Sequence, residues 1–257
     1  SDLVLTLSAS NSFTGDTTLA GGTIALTNAG GLYNSTLDMG STPNANISFQ
    51  GITAATFGGL KGSNNIALTN TSAANVALSV GSNNSSTTYS GTLSGGGNLT
   101  KIGSGTFTLT AQNAYTGTTS INTGAVSIGN GLALGTGTTI NLGVANTSSG
   151  KLLYTGNSGT ISQNVLALGN GSDTIQNDGA GALTLSGSLT KNGTVLTLRG
   201  GSAGINVTGR IVGSSSNSDL VVAGGLTTLS ATNTYNGPTF IRDRSEEHTS
   251  ELQSRQY

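Results

Sequence analysis

Apolar residues along this chain arrive in short alternating runs separated by small polar ones. TIALTN (23–28), NIALTN (65–70), NVALSV (75–80), VLALGN (165–170) and GALTLS (181–186) set Ile, Val, Leu or Ala on alternate positions. Alternation over four to six residues predicts half-buried strands, because successive side chains in a strand point to opposite faces. The runs are bounded by SNNSS (82–86), GGG (95–97) and GSSSNS (213–218), which predict turns. No window of ten or more residues ahead of Arg242 carries a helical period. Strands this short and this regularly spaced fit either a sandwich or a solenoid.

Internal repeats favour the solenoid. NSFTGDTTLAGGTIALTN (11–28), NAYTGTTSINTGAVSIGN (113–130) and NTYNGPTFI (233–241) share Asn, any residue, an aromatic, Thr or Asn, then Gly. The shared positions are Asn11, Phe13 and Gly15; Asn113, Tyr115 and Gly117; and Asn233, Tyr235 and Gly237. The residues ahead of each copy match as well: LVLTLSAS (3–10), GTFTLTAQ (105–112) and GLTTLSAT (225–232). Farther upstream, GNLTKIGSGT (97–106) parallels GSLTKNGTVL (187–196). Copies that repeat strand, turn and aromatic together are expected where each coil stacks on a similar coil. The fold class predicted is all-β, a right-handed parallel β-helix. Coils of about twenty residues would give roughly a dozen turns and a rod on the order of 50–60 Å long. The aromatic is expected to pack at a coil corner, with the motif glycine supplying an unusual backbone angle there.

Composition agrees with a thin core. Gly, Thr, Ser and Asn make up 142 of the 257 residues. Such a polar chain courts disorder, yet charge is only 7%, prolines number two, and hydrophobics reach 34%. Up to Ile241 the chain carries six Lys and Arg (Lys61, Lys101, Lys151, Lys191, Arg199, Arg210) against six Asp (Asp2, Asp16, Asp38, Asp173, Asp178, Asp219). That balance offers no basic patch for phosphates, so no nucleic-acid partner is expected. No apolar run reaches membrane-spanning length. Cysteine is absent, which decides little about compartment. The chain begins at Ser1 without a signal-peptide pattern and reads as a piece of something longer.

The stretch LTKIGSGTFTLTAQNAYTGTTSINTGAVSI (99–128) resembles the autotransporter-associated β-strand repeat. Leu99, Thr100, Lys101, Gly103, Gly105, Thr106, Leu109, Asn113, Tyr115, Thr116, Gly117, Thr118, Thr119, Ile121, Asn122 and Gly124 carry the likeness. The copy near 3–28 departs from it at Leu19 and Ala20, and the copy near 225–241 breaks off after Ile241. The resemblance implies a β-helical passenger of a bacterial surface or secreted protein, delivered in many such proteins by a C-terminal outer-membrane barrel. It implies a stalk or adhesin-like role, with surface glycans or proteins of a host or environment as partners. Lys101 and the motif Asn, aromatic and Gly residues are then structural.

Candidate chemistry is sparse. Up to Ile241 there is no His, Cys, Glu or Trp. That removes Ser–His and Cys–His nucleophile pairs, His/Cys metal sites and paired glutamates. No enzyme activity and no cofactor are expected. GNGSDTIQ (169–176) matches most of a calcium-binding nonapeptide, making Asp173 and, farther along, Asp178 weak calcium candidates. The plainer expectation is a turn in which the Asp accepts backbone N–H bonds. GNGLALG (129–135) and GGLKGS (58–63) lack the spacing of nucleotide loops and are turns. The alternative functions are a carbohydrate-binding or polysaccharide-cleaving β-helix and, third, an ice-binding solenoid built on outward Thr. The Thr runs TFTLT (106–110) and TGTT (116–119) are short and are not expected to recur from coil to coil.

The end of the chain breaks style. RDRSEEHTSELQSRQY (242–257) holds seven charged residues in sixteen, including Glu246, Glu247 and Glu251 beside the sole histidine, His248. RSEEHTSELQS (244–254) resembles the in-frame translation of a common short-read sequencing adapter. Residues 1–243 are therefore expected to be β-helical passenger repeats and 244–257 a non-native tail, with the junction between Ile241 and Arg244.

Overall fold

The computed structural model describes residues 3–169 and 171–242, so the charged tail expectation for 244–257 lies outside the described residues. Every element within them is a β-strand, and every pairing between strands is parallel. The chain is a parallel β-solenoid of about ten turns: its longest sheet runs through eleven strands. At ~4.8 Å per stacked strand this makes a rod of about 50 Å, a little shorter than the sequence spacing implied.

Each coil contributes to three faces. The first face stacks Ala77–Val80, Leu99–Lys101, Thr119–Ile121, Thr139–Leu142, Asn164–Ala167, Leu189–Lys191, Ile211–Gly213 and Thr234–Tyr235. The second stacks Thr87–Tyr89, Thr106–Leu109, Ala125–Ile128, Lys151–Tyr154 and Ser172–Asn177. It continues through the start of Val195–Val207, then Leu220–Leu229 and Thr239–Arg242. The third includes Gly159–Ile161, Leu183–Leu185, 205–207 and 227–229. A turn of the solenoid takes 20 residues where Thr118 donates back to Asn98 and 24 where Ser188 donates to Asn164.

In-register stacking turns the alternating pattern into columns. One inward column of the first face reads Phe57, Val80, Lys101, Ile121, Leu142, Ala167, Lys191. Its apolar members belong to one continuous core down the rod. Alongside, Thr56, Ser79, Thr100, Ser120 and Asn141 stack outward. Outward hydroxyls thus recur over four successive coils, at positions outside the two Thr runs, because the register brings serines into line with threonines. The column loses its polar character at Leu166.

Candidate functional site

The repeat motif and the buried charged residues are where sequence placed the special chemistry. Asn113 is buried, and it joins three coils: its Oδ1 accepts from Leu93 N at 2.7 Å and its Nδ2 donates to Ala133 O at 2.6 Å. The end copies make the half of this that their neighbours permit. Asn11 Nδ2 donates to Gly31 O of the following coil at 3.0 Å. Asn233 Oδ1 accepts from Ile211 N of the preceding coil at 2.8 Å. Each bond satisfies a backbone group at a corner where the sheet ladder lapses. Sequence reasoning missed the wider form of this device: Asn84, Asn98, Asn164 and Asn192 also accept backbone N–H groups from the next coil. The signal was an asparagine shortly before or after nearly every first-face strand.

The motif aromatics differ by position. Tyr115 is fully buried and its hydroxyl meets Thr119 Oγ1 at 2.6 Å. Tyr235 is half-buried and repeats the bond with Thr239 at 2.6 Å. Phe13 has no hydroxyl and is 43% exposed, so it does not pack as expected. The matching Thr17 bonds Ser35 Oγ at 2.7 Å instead.

The motif glycines correct the sequence reading. Gly15, Gly117 and Gly237 all lie outside the left-handed region. What excludes a side chain at Gly117 and Gly237 is the coil below: an added Cβ would stand 2.2 Å from Gly97 O and 2.1 Å from Ser218 O. At Gly15, in the first coil, nothing lies within 4 Å.

Lys101 and Lys191, the ends of two Leu-Thr-Lys strands, are fully buried at 1% and 0% exposure. Lys101 Nζ donates to Ile102 O and Gly103 O at 2.6 and 2.7 Å. Lys191 Nζ donates to Ser218 O and sits 3.9 Å from the centre of the Tyr235 ring. Burial lowers both ammonium groups to about 8, with Asp219 opposing the shift at Lys191. Both therefore stay mostly charged at neutral pH, held by carbonyl oxygens and, for Lys191, an aromatic face.

Asp173 is also fully buried. Its Oδ1 accepts from Gly150 N at 2.9 Å and its Oδ2 from Gly169 N at 2.7 Å. Burial pushes its carboxyl above the ordinary carboxylate value, against the pull of those N–H donors. Asp178 is exposed and takes Gln176 Nε2 on both oxygens. The two calcium candidates thus face different surroundings, and Asp173 has the plainer turn-bracing role. Among the described residues no group of three or more His, Cys, Asp or Glu is placed to hold a metal. No helix there is long and apolar enough to cross a membrane.

The coil stack and its cross-coil asparagines define a class, a repeat-built parallel β-solenoid. The passenger-associated-transport-repeat family model matches this chain at residues 4–26, 99–128 and 224–243. Comparison with curated proteins and with solved structures gives no match. The three matched segments are the three motif copies, and they do not sit in one phase. In the middle copy the strand Thr106–Leu109 lies on the second face and Thr119–Ile121 on the first. In the last copy 227–229 lies on the third face and Thr239–Arg242 on the second. The motif is therefore a corner code used at more than one pair of successive corners.

Proposed function

We propose that this chain is a structural passenger segment, a stiff stalk or adhesin-like rod at the cell surface or outside the cell, with no catalytic activity of its own. The observation that carries this reading is the threading of three passenger-associated repeats on one uninterrupted solenoid. In it, the buried charged side chains Lys101, Asp173 and Lys191 are consumed by corners. Asp173, the acid a polysaccharide-cleaving β-helix would need near its groove, has both oxygens occupied by backbone N–H groups and no exposed surface. A general acid or base must reach the proton it moves.

The test is display. Residues 1–243 fused ahead of an outer-membrane barrel in a Gram-negative host should appear outside the cell as a protease-resistant band accessible to antibody. Retention inside the envelope, or degradation of the segment, would overturn the reading. Cleavage of an acidic polysaccharide by the purified chain, abolished by Asp173→Ala in a folded protein, would overturn its non-catalytic part.

A further inference from the structure

The corners between first and second face differ in length, and the differences are not random along the rod. The chain crosses this corner in four residues at 168–171 and in three at 192–194. On either side the crossing is long: eight residues at 143–150 and six at 214–219. Two long turns therefore stand as walls over two short ones as floor. The notch between them has a volume of about 440 Å³ and is lined by Asn146 from one wall, Asn217 and Asp219 from the other, and Asn192 and Thr194 from the floor. That volume falls within the range of small-molecule sites, about 300–1,000 Å³.

The walls are braced from beneath. Asp173 ties the first wall to the floor, through Gly150 N and Gly169 N. Lys191 ties the second wall from the floor through Ser218 O, and Gly193 N adds a bond to Ser218 Oγ at 3.0 Å. Ser148 Oγ anchors the first wall to Asn122 O at 2.6 Å. Both fully buried charges of the C-terminal half thus hold this notch open in one shape. Such charges are costly to bury, and preorganisation lowers the cost of binding.

The lining selects a ligand class. The side chains of Asn146 and Asn217 make no hydrogen bond among the described residues, and both are exposed. The carboxamides of Asn146 and Asn217 offer paired donors and acceptors and Asp219 a charged acceptor, while the Thr194 hydroxyl, which donates to Ala167 O at 3.0 Å, can only accept. No cation lines the notch, so a phosphate or an acidic sugar would meet the Asp219 carboxylate there. One carboxylate alone is a thin set for a divalent ion, which takes six to eight oxygens when it is calcium. Apolar lining is confined to small surfaces such as Ala145 and Val195.

We propose that this notch binds a neutral, hydroxyl-rich saccharide, with Asn146 and Asn217 donating to ring hydroxyls and Asp219 accepting from them. The site adds recognition to the rod and stands on the notch geometry, independently of how the rod is delivered. The test titrates the ¹⁵N-labelled full chain with three tetrasaccharides: β-1,4-linked N-acetylglucosamine, β-1,4-linked glucose and α-1,4-linked glucose. At least one, at up to about 10 mM, should shift amides in 143–150, 192–195 and 214–219. Asn217→Ala and Asp219→Asn should each weaken that binding about tenfold, while Asn46→Ala, exposed on a remote coil, leaves it unchanged. Silence from all three sugars overturns the proposal. So do shifts confined to other coils, undiminished binding in both variants, or a response to calcium chloride alone.

Discussion

Lys101 and Lys191 end the same tripeptide, Leu-Thr-Lys, on the same inward column of the first face, four coils apart. Both are buried and both hold their proton to about 8. Their partners nonetheless differ. Lys101 folds back on its own corner, to Ile102 O and Gly103 O. Lys191 reaches into the next coil, to Ser218 O, and on to the Tyr235 ring two coils away. The difference lies in what stacks above. Ile121 covers Lys101, whereas Gly213 continues the column over Lys191 and leaves the way open to Tyr235, its own register partner. The tripeptide decides burial; the residue one coil away decides the partner.

The largest expected effect tests what the two lysines share. A lysine buried at about 8 releases its proton there, while the unfolded chain keeps its own until about 10.4. Between these values the unfolded state binds more protons, so stability rises with pH. From pH 7 to 10 the gain should be about 2 kcal/mol per lysine, roughly 4 kcal/mol in all. Burial pushes Tyr89 and Tyr115 upward, which reverses the slope only above about 10, where unfolded tyrosines ionise. Urea midpoints measured across pH 7–10 give the gradient. Lys101→Met and Lys191→Met should each remove about half of it. A flat profile in the parent, or a gradient untouched by either substitution, would break the parity.

The next effect separates the pair. Gly213→Val would set a Cβ 2.2 Å from Lys191 O and 3.0 Å from the Ser218 side chain, in the gap through which Lys191 reaches Tyr235. A loss of ~3 kcal/mol is expected, at the upper end of overpacking costs. Hydrogen exchange should show it concentrated beyond Leu189, with the Lys101 corner retaining its protection. Loss spread evenly over both corners would mean that the glycine does not set the difference.

The same division governs what sequence can disclose. Strand alternation, the repeat copies and the parallel solenoid were legible because a period of two and a copied turn are local signals. The packing of Tyr115 at a corner followed from the motif in kind. The bond partners did not, since they depend on register between residues 20 or more apart. Phe13 shows the limit from the other side: the motif is present, but no described coil lies beneath it, and the ring is exposed. The notch on the C-terminal half was invisible for the same reason. It arises from the lengths of four corners brought together by stacking, and GSSSNS reads by itself only as a polar turn.

The motif glycines offer the smallest and cleanest version of the contrast, because one residue type in one motif meets two kinds of environment. In Gly117 and Gly237 the constraint is a carbonyl of the coil below, at 2.2 and 2.1 Å from an added Cβ; at Gly15 the space is empty. All three backbones lie outside the left-handed region, so conformational strain does not enter. Gly117→Ala should then cost about 2 kcal/mol, since Gly97 O is backbone and cannot swing aside. Gly15→Ala should change stability by less than about 0.5 kcal/mol, with a slight gain favoured because alanine restricts the unfolded chain more than glycine. Chemical denaturation of the two variants against the parent decides it. Equal losses would assign the glycine to the motif's own turn; unequal losses assign it to the neighbour, as with the two lysines.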